Sequence, residues 1–243
     1  MPTVFVEPFA GGGIVGLSVA FERLAKTVVM IELDEQVAAV WKTILGRDSD
    51  WLVDRILSFR LTEEAVREEL ASPNGLTHET AFRTLLKNRT FHGGILAEGS
   101  SLIRSGENGK GLRSRWYPET LARRIRAIAE KRDRIAFIEG DGTARMLEFA
   151  RKKRAAFFID PPYTVAGKRA GTRLYKYHTI DHETLFAATE RLAGDFLMTY
   201  DNAPEVRALA KRHGFQVRTI PMKGTHNTPM LELIIGRDLS WVC

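Results

Sequence analysis

The sequence predicts an α/β fold: a mostly parallel sheet with a C-terminal antiparallel hairpin, plus a helical insertion. Three observations lead there. Apolar runs of strand length alternate with stretches of helical periodicity over most of the chain. Residues 7–16, EPFAGGGIVG, put Gly11, Gly13 and Gly16 on the spacing G-x-G-x-x-G, between an apolar run and a helix-patterned one. The last two apolar runs are separated by a loop too short for a right-handed parallel crossover, so the final strand should be antiparallel.

The elements follow in order. Val4–Val6 is the first strand, and Ile14–Leu24 is the helix after the glycine turn. Thr27–Ile31 (TVVMI) is the second strand, and Glu35–Leu45 has helical periodicity. Residues 46–118 then break the rhythm with Arg- and Glu-rich helical segments, the stretch NRTFHGGIL and the Gly/Ser/Lys-rich RSGENGKGLRSRW. Nothing there has the pattern of a buried strand. The predicted division is one domain from 1–45 and 119–243, with 46–118 as an inserted helical lobe whose part from Ser105 to Arg115 is a mobile loop. Ile135–Ile138, Ala155–Ile159 (AAFFI) and Phe196–Thr199 read as further buried strands, and Thr143–Lys152, His182–Leu192 and Pro204–His213 as helices. Gln216–Pro221 and Met230–Ile235, joined by a loop with Gly224 and Asn227, form the hairpin.

With 243 residues, 44% of them hydrophobic, the chain can bury one sizeable core. A net charge of +6 favours a polyanionic partner, because lysines and arginines that neutralise phosphates release condensed counterions. The single cysteine, Cys243, excludes an internal disulfide framework and a cysteine-rich metal site. The histidines show no metal spacing, so no metal is expected. No apolar run approaches the ~20 residues of a membrane span, and the N-terminus lacks a signal-peptide pattern, so a soluble cytoplasmic protein is expected.

The glycine turn, with Phe9, Ala10, Gly11 and Gly13, lets backbone approach a ligand closely, and Glu32 at the end of the second strand can accept hydrogen bonds from a ribose diol. A dinucleotide and S-adenosylmethionine both carry that ribose. Glu7 bears on the choice, since a carboxylate four residues before Gly11 would repel a pyrophosphate but tolerate a sulfonium; its alternative is to point away or cap the turn. Asp141, after the third strand, can accept from an adenine amine, cap the helix that follows, or do both.

After the fourth strand comes IDPPY, at the carboxyl edge where ligands of open α/β sheets bind. From average residue frequencies, Asp-Pro-Pro-Tyr should arise by chance in such a chain on the order of one time in a thousand. Together with EPFAGGG, Glu32, the Gly140-Asp141 pair, NRTFHGGIL and TYDN at 199–202, it makes the chain resemble the adenine-specific DNA methyltransferases, in the class whose glycine motif precedes the tetrapeptide. The resemblance covers most of the chain. It implies a Rossmann-like S-adenosylmethionine-dependent methyltransferase fold and methyl transfer to the exocyclic amine of an adenine flipped out of double-stranded DNA. It also implies a part in site-specific DNA methylation, of the kind used in restriction-modification.

The residue types suit that chemistry. Adenine's amino lone pair is delocalised into the ring; the Asp160 carboxylate and the Pro161 carbonyl oxygen can each accept one amino hydrogen and draw the pair back onto nitrogen. Pro161 and Pro162 fix φ and contribute no N–H to compete. Tyr163 would stack on the extruded base. The alternative for the tetrapeptide is a rigid turn without chemistry.

For nucleic-acid contact, Lys168, Arg169, Arg173, Tyr175, Lys176 and Tyr177 interleave cations with aromatics directly after the tetrapeptide. In the insertion, Arg89, Arg113, Arg115 and Trp116 are the candidates for groove or backbone contacts. Members of the resembled family usually carry a helical segment before the first strand that encloses the cofactor's methionine end. This sequence starts at Met1-Pro2-Thr3, so weaker cofactor binding, or a second chain supplying the segment, is expected. The rival readings are an RNA adenine methyltransferase, a non-catalytic nucleic-acid-binding subunit of the same fold and, last, a dinucleotide oxidoreductase.

Overall fold

A computed structural model describes residues 1–73, 75–94, 96, 100–106, 109–162, 180–223 and 229–242, with the backbone alone at 223, 229 and 230. Seven strands form one sheet: β1 (Val4–Glu7), β2 (Thr27–Glu32), β3 (Ile135–Glu139), β4 (Ala155–Ile159), β5 (Asp195–Asp201), β6 (Gln216–Lys223) and β7 (Pro229–Gly236). Their order is β3-β2-β1-β4-β5-β7-β6. β1 runs parallel to β2, with Val6 opposite Val29, and parallel to β4, with Val6 opposite Phe157. β4 and β5 are parallel, with Ile159 opposite Met198.

β7 is antiparallel to both β5 and β6. The mostly parallel sheet with its antiparallel end is therefore as the sequence predicts, but the last strand lies between β5 and β6 and not at the rim. Burial explains the choice. Leu233, Ile234 and Ile235 of β7 are buried, whereas β6 carries exposed Arg218 and Thr219 and a proline, Pro221, whose missing N–H suits an edge. β1, at the centre, is buried at every residue.

The contacts divide the chain into two compact units. The first comprises Met1–Leu33 with the described residues of 140–162 and 180–242. Its helices are α1 (Ile14–Phe21), α7 (Gly142–Met146), α8 (His182–Glu190) and α9 (Pro204–Arg212), numbered with those of the second unit given below. α1 stops three residues short of Leu24 because Arg23 turns left-handed, at a φ of 59°. The helix expected over Thr143–Lys152 is only α7, followed by a 3-10 turn at Leu147–Phe149. There Ala150 N–H reaches back three residues to the Leu147 carbonyl, tightening the chain before it enters β4 at Ala155. Asp181 starts α8 by accepting from the Thr184 N–H and hydroxyl, and α9 opens on Pro204.

The second unit, Asp34–Glu139, holds α2 (Glu35–Leu45), α3 (Ser49–Ser58), α4 (Glu63–Ala71), α5 (Thr77–Thr90), α6 (Pro118–Ala129) and β3. Asp34 caps α2 through the Gln36 and Val37 N–H groups, and Thr62 caps α4 through that of Ala65. A core of its own forms from Leu52 and Ile56 of α3, Phe82 and Leu86 of α5, and Leu121 and Ile125 of α6. Phe59 packs edge-on against Phe82 at 5.2 Å between ring centres. Among the described residues no helix is long and apolar enough to cross a membrane.

Phe82 is fully buried in that core, and the Arg55 guanidinium lies 4.9 Å over its ring while also bonding Glu69 at 2.6 Å. Phe82→Ala should therefore lower unfolding free energy by about 3–5 kcal/mol, read from the urea midpoint at an unchanged m-value.

Candidate functional site

The chain leaves β1 through Pro8, Phe9 and Ala10. Ala10 is buried, and its N–H donates to the Ile31 carbonyl at 2.9 Å, while Gly13 N–H donates to the Ala10 carbonyl at 2.6 Å. The turn is thereby folded against the end of β2. Gly13 caps α1 with a φ of 64°, a left-handed conformation that costs glycine nothing. Phe9 is half-buried, with its ring against Gly142. Glu32 accepts the Gly11 N–H at 2.7 Å and the Leu33 N–H at 2.9 Å, so its carboxylate is oriented by backbone on both sides. Among the described residues no atom lies within 4 Å of where a side chain would project at Gly11 or Gly12. A carboxylate so held, beside bare backbone, fits the adenosine portion of S-adenosylmethionine.

Of the two placements the sequence leaves open for Glu7, the structure has the one turned away from the ligand side of the turn. Glu7 is 4% exposed and its Oε2 accepts the Gly16 N–H at 2.8 Å, so it faces into the fold beneath the turn and ties α1 to β1. A side chain at Gly16 would stand 2.4 Å from that oxygen, which gives the third glycine of the motif a packing reason. Burial first, and then the charge of Asp160, push the Glu7 carboxyl up to about 7, against the opposing pull of the Gly16 and Val15 N–H groups.

Asp160 follows β4 directly and is exposed, Pro161 is buried and Pro162 half-buried. The Thr199 hydroxyl, on neighbouring β5, donates to Asp160 Oδ1 at 2.6 Å. Glu232, opposite Asp201 in the β5–β7 register, is raised by burial and then by Asp160 and Asp201. Fully buried Tyr200 is raised by burial and then by Asp160, and its hydroxyl lies 3.1 Å from His182 Nδ1. Burial lowers His182, so this pair is neutral near pH 7. Asp141 is exposed and caps α7, accepting the Ala144 N–H at 2.7 Å. Asn202 accepts from Arg207 at 3.0 Å and is thus tied to α9.

Within the second unit, Arg89, Arg115 and Arg124 come close enough that the charges of the other two, after burial, lower Arg89. Arg89 Nε is buried with no hydrogen-bond partner among the described residues, and Arg115 donates weakly to the Phe91 carbonyl at 3.5 Å. Arg113 is exposed on the turn Gly111–Ser114. Trp116 is 8% exposed and packs against Phe59 in the core, so its ring is not presented for nucleic-acid contact as the sequence suggests. An aromatic beside two arginines reads alike whether it faces the groove or the core. Tyr163, Lys168, Arg169, Arg173, Tyr175, Lys176 and Tyr177 lie outside the described residues.

Thr199 and Tyr200 stand in the TYDN stretch without a role assigned from the sequence; His182 and Glu232 around Asp160, and Arg124 beside Arg89, were missed. His182, Glu232 and Arg124 are joined to their partners only by tertiary packing and carried no signal.

The sequence model of the family described as D12 class N6 adenine-specific DNA methyltransferase matches residues 1–222. No curated protein sequence matches significantly. Solved structures similar to the chain include a Bacillus subtilis M1A22 tRNA methyltransferase, at 10% identity and a TM-score of 0.40, over 97% of this chain and 60% of that one. An rRNA methyltransferase of Streptomyces viridochromogenes is 13% identical with a TM-score of 0.38, over 100% of this chain and 80% of that one. A precorrin-6y C5,15-methyltransferase of Geobacter metallireducens is 10% identical with a TM-score of 0.37, over 97% and 79%.

The raised Glu7 carboxyl makes stability depend on pH. Because the fold favours the neutral form, the contribution is complete below the ordinary value of 4.5 and is lost as pH rises through about 7. Glu7→Gln, which keeps an acceptor for Gly16 without the charge, should gain on the wild type between pH 5 and 8, by on the order of 3 kcal/mol at most. Urea midpoints at several pH values measure this, and a difference that stays flat across that window would contradict the assignment.

Proposed function

The chain belongs to the D12 class of N6 adenine-specific DNA methyltransferases, and from that premise we propose that it methylates the exocyclic amine of an adenine flipped out of duplex DNA. The observation that carries this reading is the exposed Asp160, held by Thr199 at the end of β4, at the carboxyl edge where Glu32 orients the bare glycine turn. S-adenosylmethionine, when bound, supplies an electrophilic methyl group on a sulfonium. Glu32 and the backbone of Gly11 to Gly13 bind its adenosine portion, with Phe9 and Ala10 shaping the turn and Asp141 accepting from the adenine amine in addition to its cap.

Asp160 and the Pro161 carbonyl each accept an amino hydrogen of the target base. That localises the nitrogen lone pair and orients it for attack. Asp160 need not be a strong base beforehand, since the amine becomes acidic only as the new N–C bond forms; its work is positioning and stabilisation of developing positive charge. Pro162 stiffens the turn and Tyr163 stacks on the base. Arg89 and Arg115, with Arg113, bind the DNA backbone. The mutual repulsion of Arg89, Arg115 and Arg124 supports that assignment, because a phosphate beside them would offset it.

Asp160→Ala should lower methyl transfer to duplex DNA by at least about 100-fold with the fold intact. Radiolabelled-methyl incorporation measures it, and retained activity would sink the role given to Asp160. Duplex DNA and structured RNA offered in parallel test the substrate: incorporation into RNA alone would overturn the DNA reading. Arg89→Ala and Arg115→Ala should each weaken duplex binding and reduce the slope of log K against log salt by about 1. Anisotropy titrations at several salt concentrations check this, and unchanged slopes would remove these residues from the interface.

A further inference from the structure

We propose that Thr199 is a positioning residue for methyl transfer: its hydroxyl fixes the orientation in which the Asp160 carboxylate meets the target amine. The inference rests on the role given to Asp160 above and adds to it a residue on a different strand. The parallel register pairs Ile159 of β4 with Met198 of β5, so the next residues, Asp160 and Thr199, stand side by side. Met198 and Tyr200 are buried while Thr199 is only half-buried, so the alternation of β5 turns the threonine away from the face that those two pack into. There its single O–H donates to Asp160 Oδ1 at 2.6 Å.

The terminal torsion of an aspartate is broad, so a donor held at a fixed place beside Asp160 narrows the range of its carboxylate plane. Its neighbours are acids: Glu7 and Glu232 are each destabilised in their charged forms by Asp160. A hydroxyl donor aimed at one oxygen sets the plane of the carboxylate. The donor is itself rigid, because a β-branched side chain has few χ1 choices and β5 is hydrogen-bonded on one side to β4 and on the other to β7. Holding an acceptor to a fraction of an ångström from a regular element, and not from a loop, is what in-line attack on a methyl group requires.

The test compares Thr199→Val, which keeps the shape and loses the O–H, with Thr199→Ser, which keeps the O–H, and runs Asp160→Ala beside them. Single-turnover methylation should fall on the order of 10- to 100-fold in Thr199→Val, with duplex and S-adenosylmethionine affinities within about threefold of wild type. Thr199→Ser should restore the rate to within a few-fold of wild type, and both variants should melt with the wild type in a thermal scan. Equal losses in Thr199→Val and Thr199→Ser, or a wild-type rate in Thr199→Val, would overturn the inference. So would a Thr199→Val defect confined to binding. The Asp160→Ala arm separates the two failures. If it is inactive while Thr199→Val is unimpaired, only the positioning role falls; if it is active, the reading of the site falls with it.

Discussion

Parallel pairing of β1 with β2 and β4, and of β4 with β5, is the constraint on which the candidate site depends. Parallel strands finish at the same edge, so the residues that end them become neighbours however far apart they are in the chain. Glu7 ends β1, Glu32 ends β2, Asp160 follows β4 and Thr199 lies near the end of β5. None of these could meet another through local structure. Each is exposed or buried according to what lies beside its strand: Glu7 at the centre is sealed under the glycine turn, and Asp160 remains open.

The electrostatics of that edge are uneven. Glu7, Glu232 and Tyr200 each lie in the field of Asp160, and Glu232 also in that of Asp201, and the structure meets the cost in different ways. Glu7 is pushed toward its neutral form by burial. Tyr200 keeps its proton and pairs with neutral His182. Asp160 receives a hydroxyl hydrogen bond from the next strand.

The helical unit answers to different physics. Its core of leucine, isoleucine and aromatic side chains is complete within Asp34–Glu139, and its caps are supplied by Asp34 and Thr62. Against that background, Arg89, Arg115 and Arg124 stand out: guanidinium groups brought together at a cost that burial increases, with the Arg89 Nε unsatisfied among the described residues. Such an arrangement destabilises the fold that holds it.

The sequence by itself determined the fold class, the antiparallel end of the sheet, the glycine turn and the tetrapeptide, because these follow from residue type at fixed local spacing. Periodicity shows strands, a short loop forbids a parallel crossover, and Asp-Pro-Pro after an apolar run sits at a strand's end wherever that strand is placed. Only the tertiary structure decided that β7 lies inside β6, that Glu7 faces α1, that Trp116 belongs to a core and that Thr199 holds Asp160. Each of those outcomes turns on which side of an element is covered by another, and spacing along one chain does not record what lies across from it.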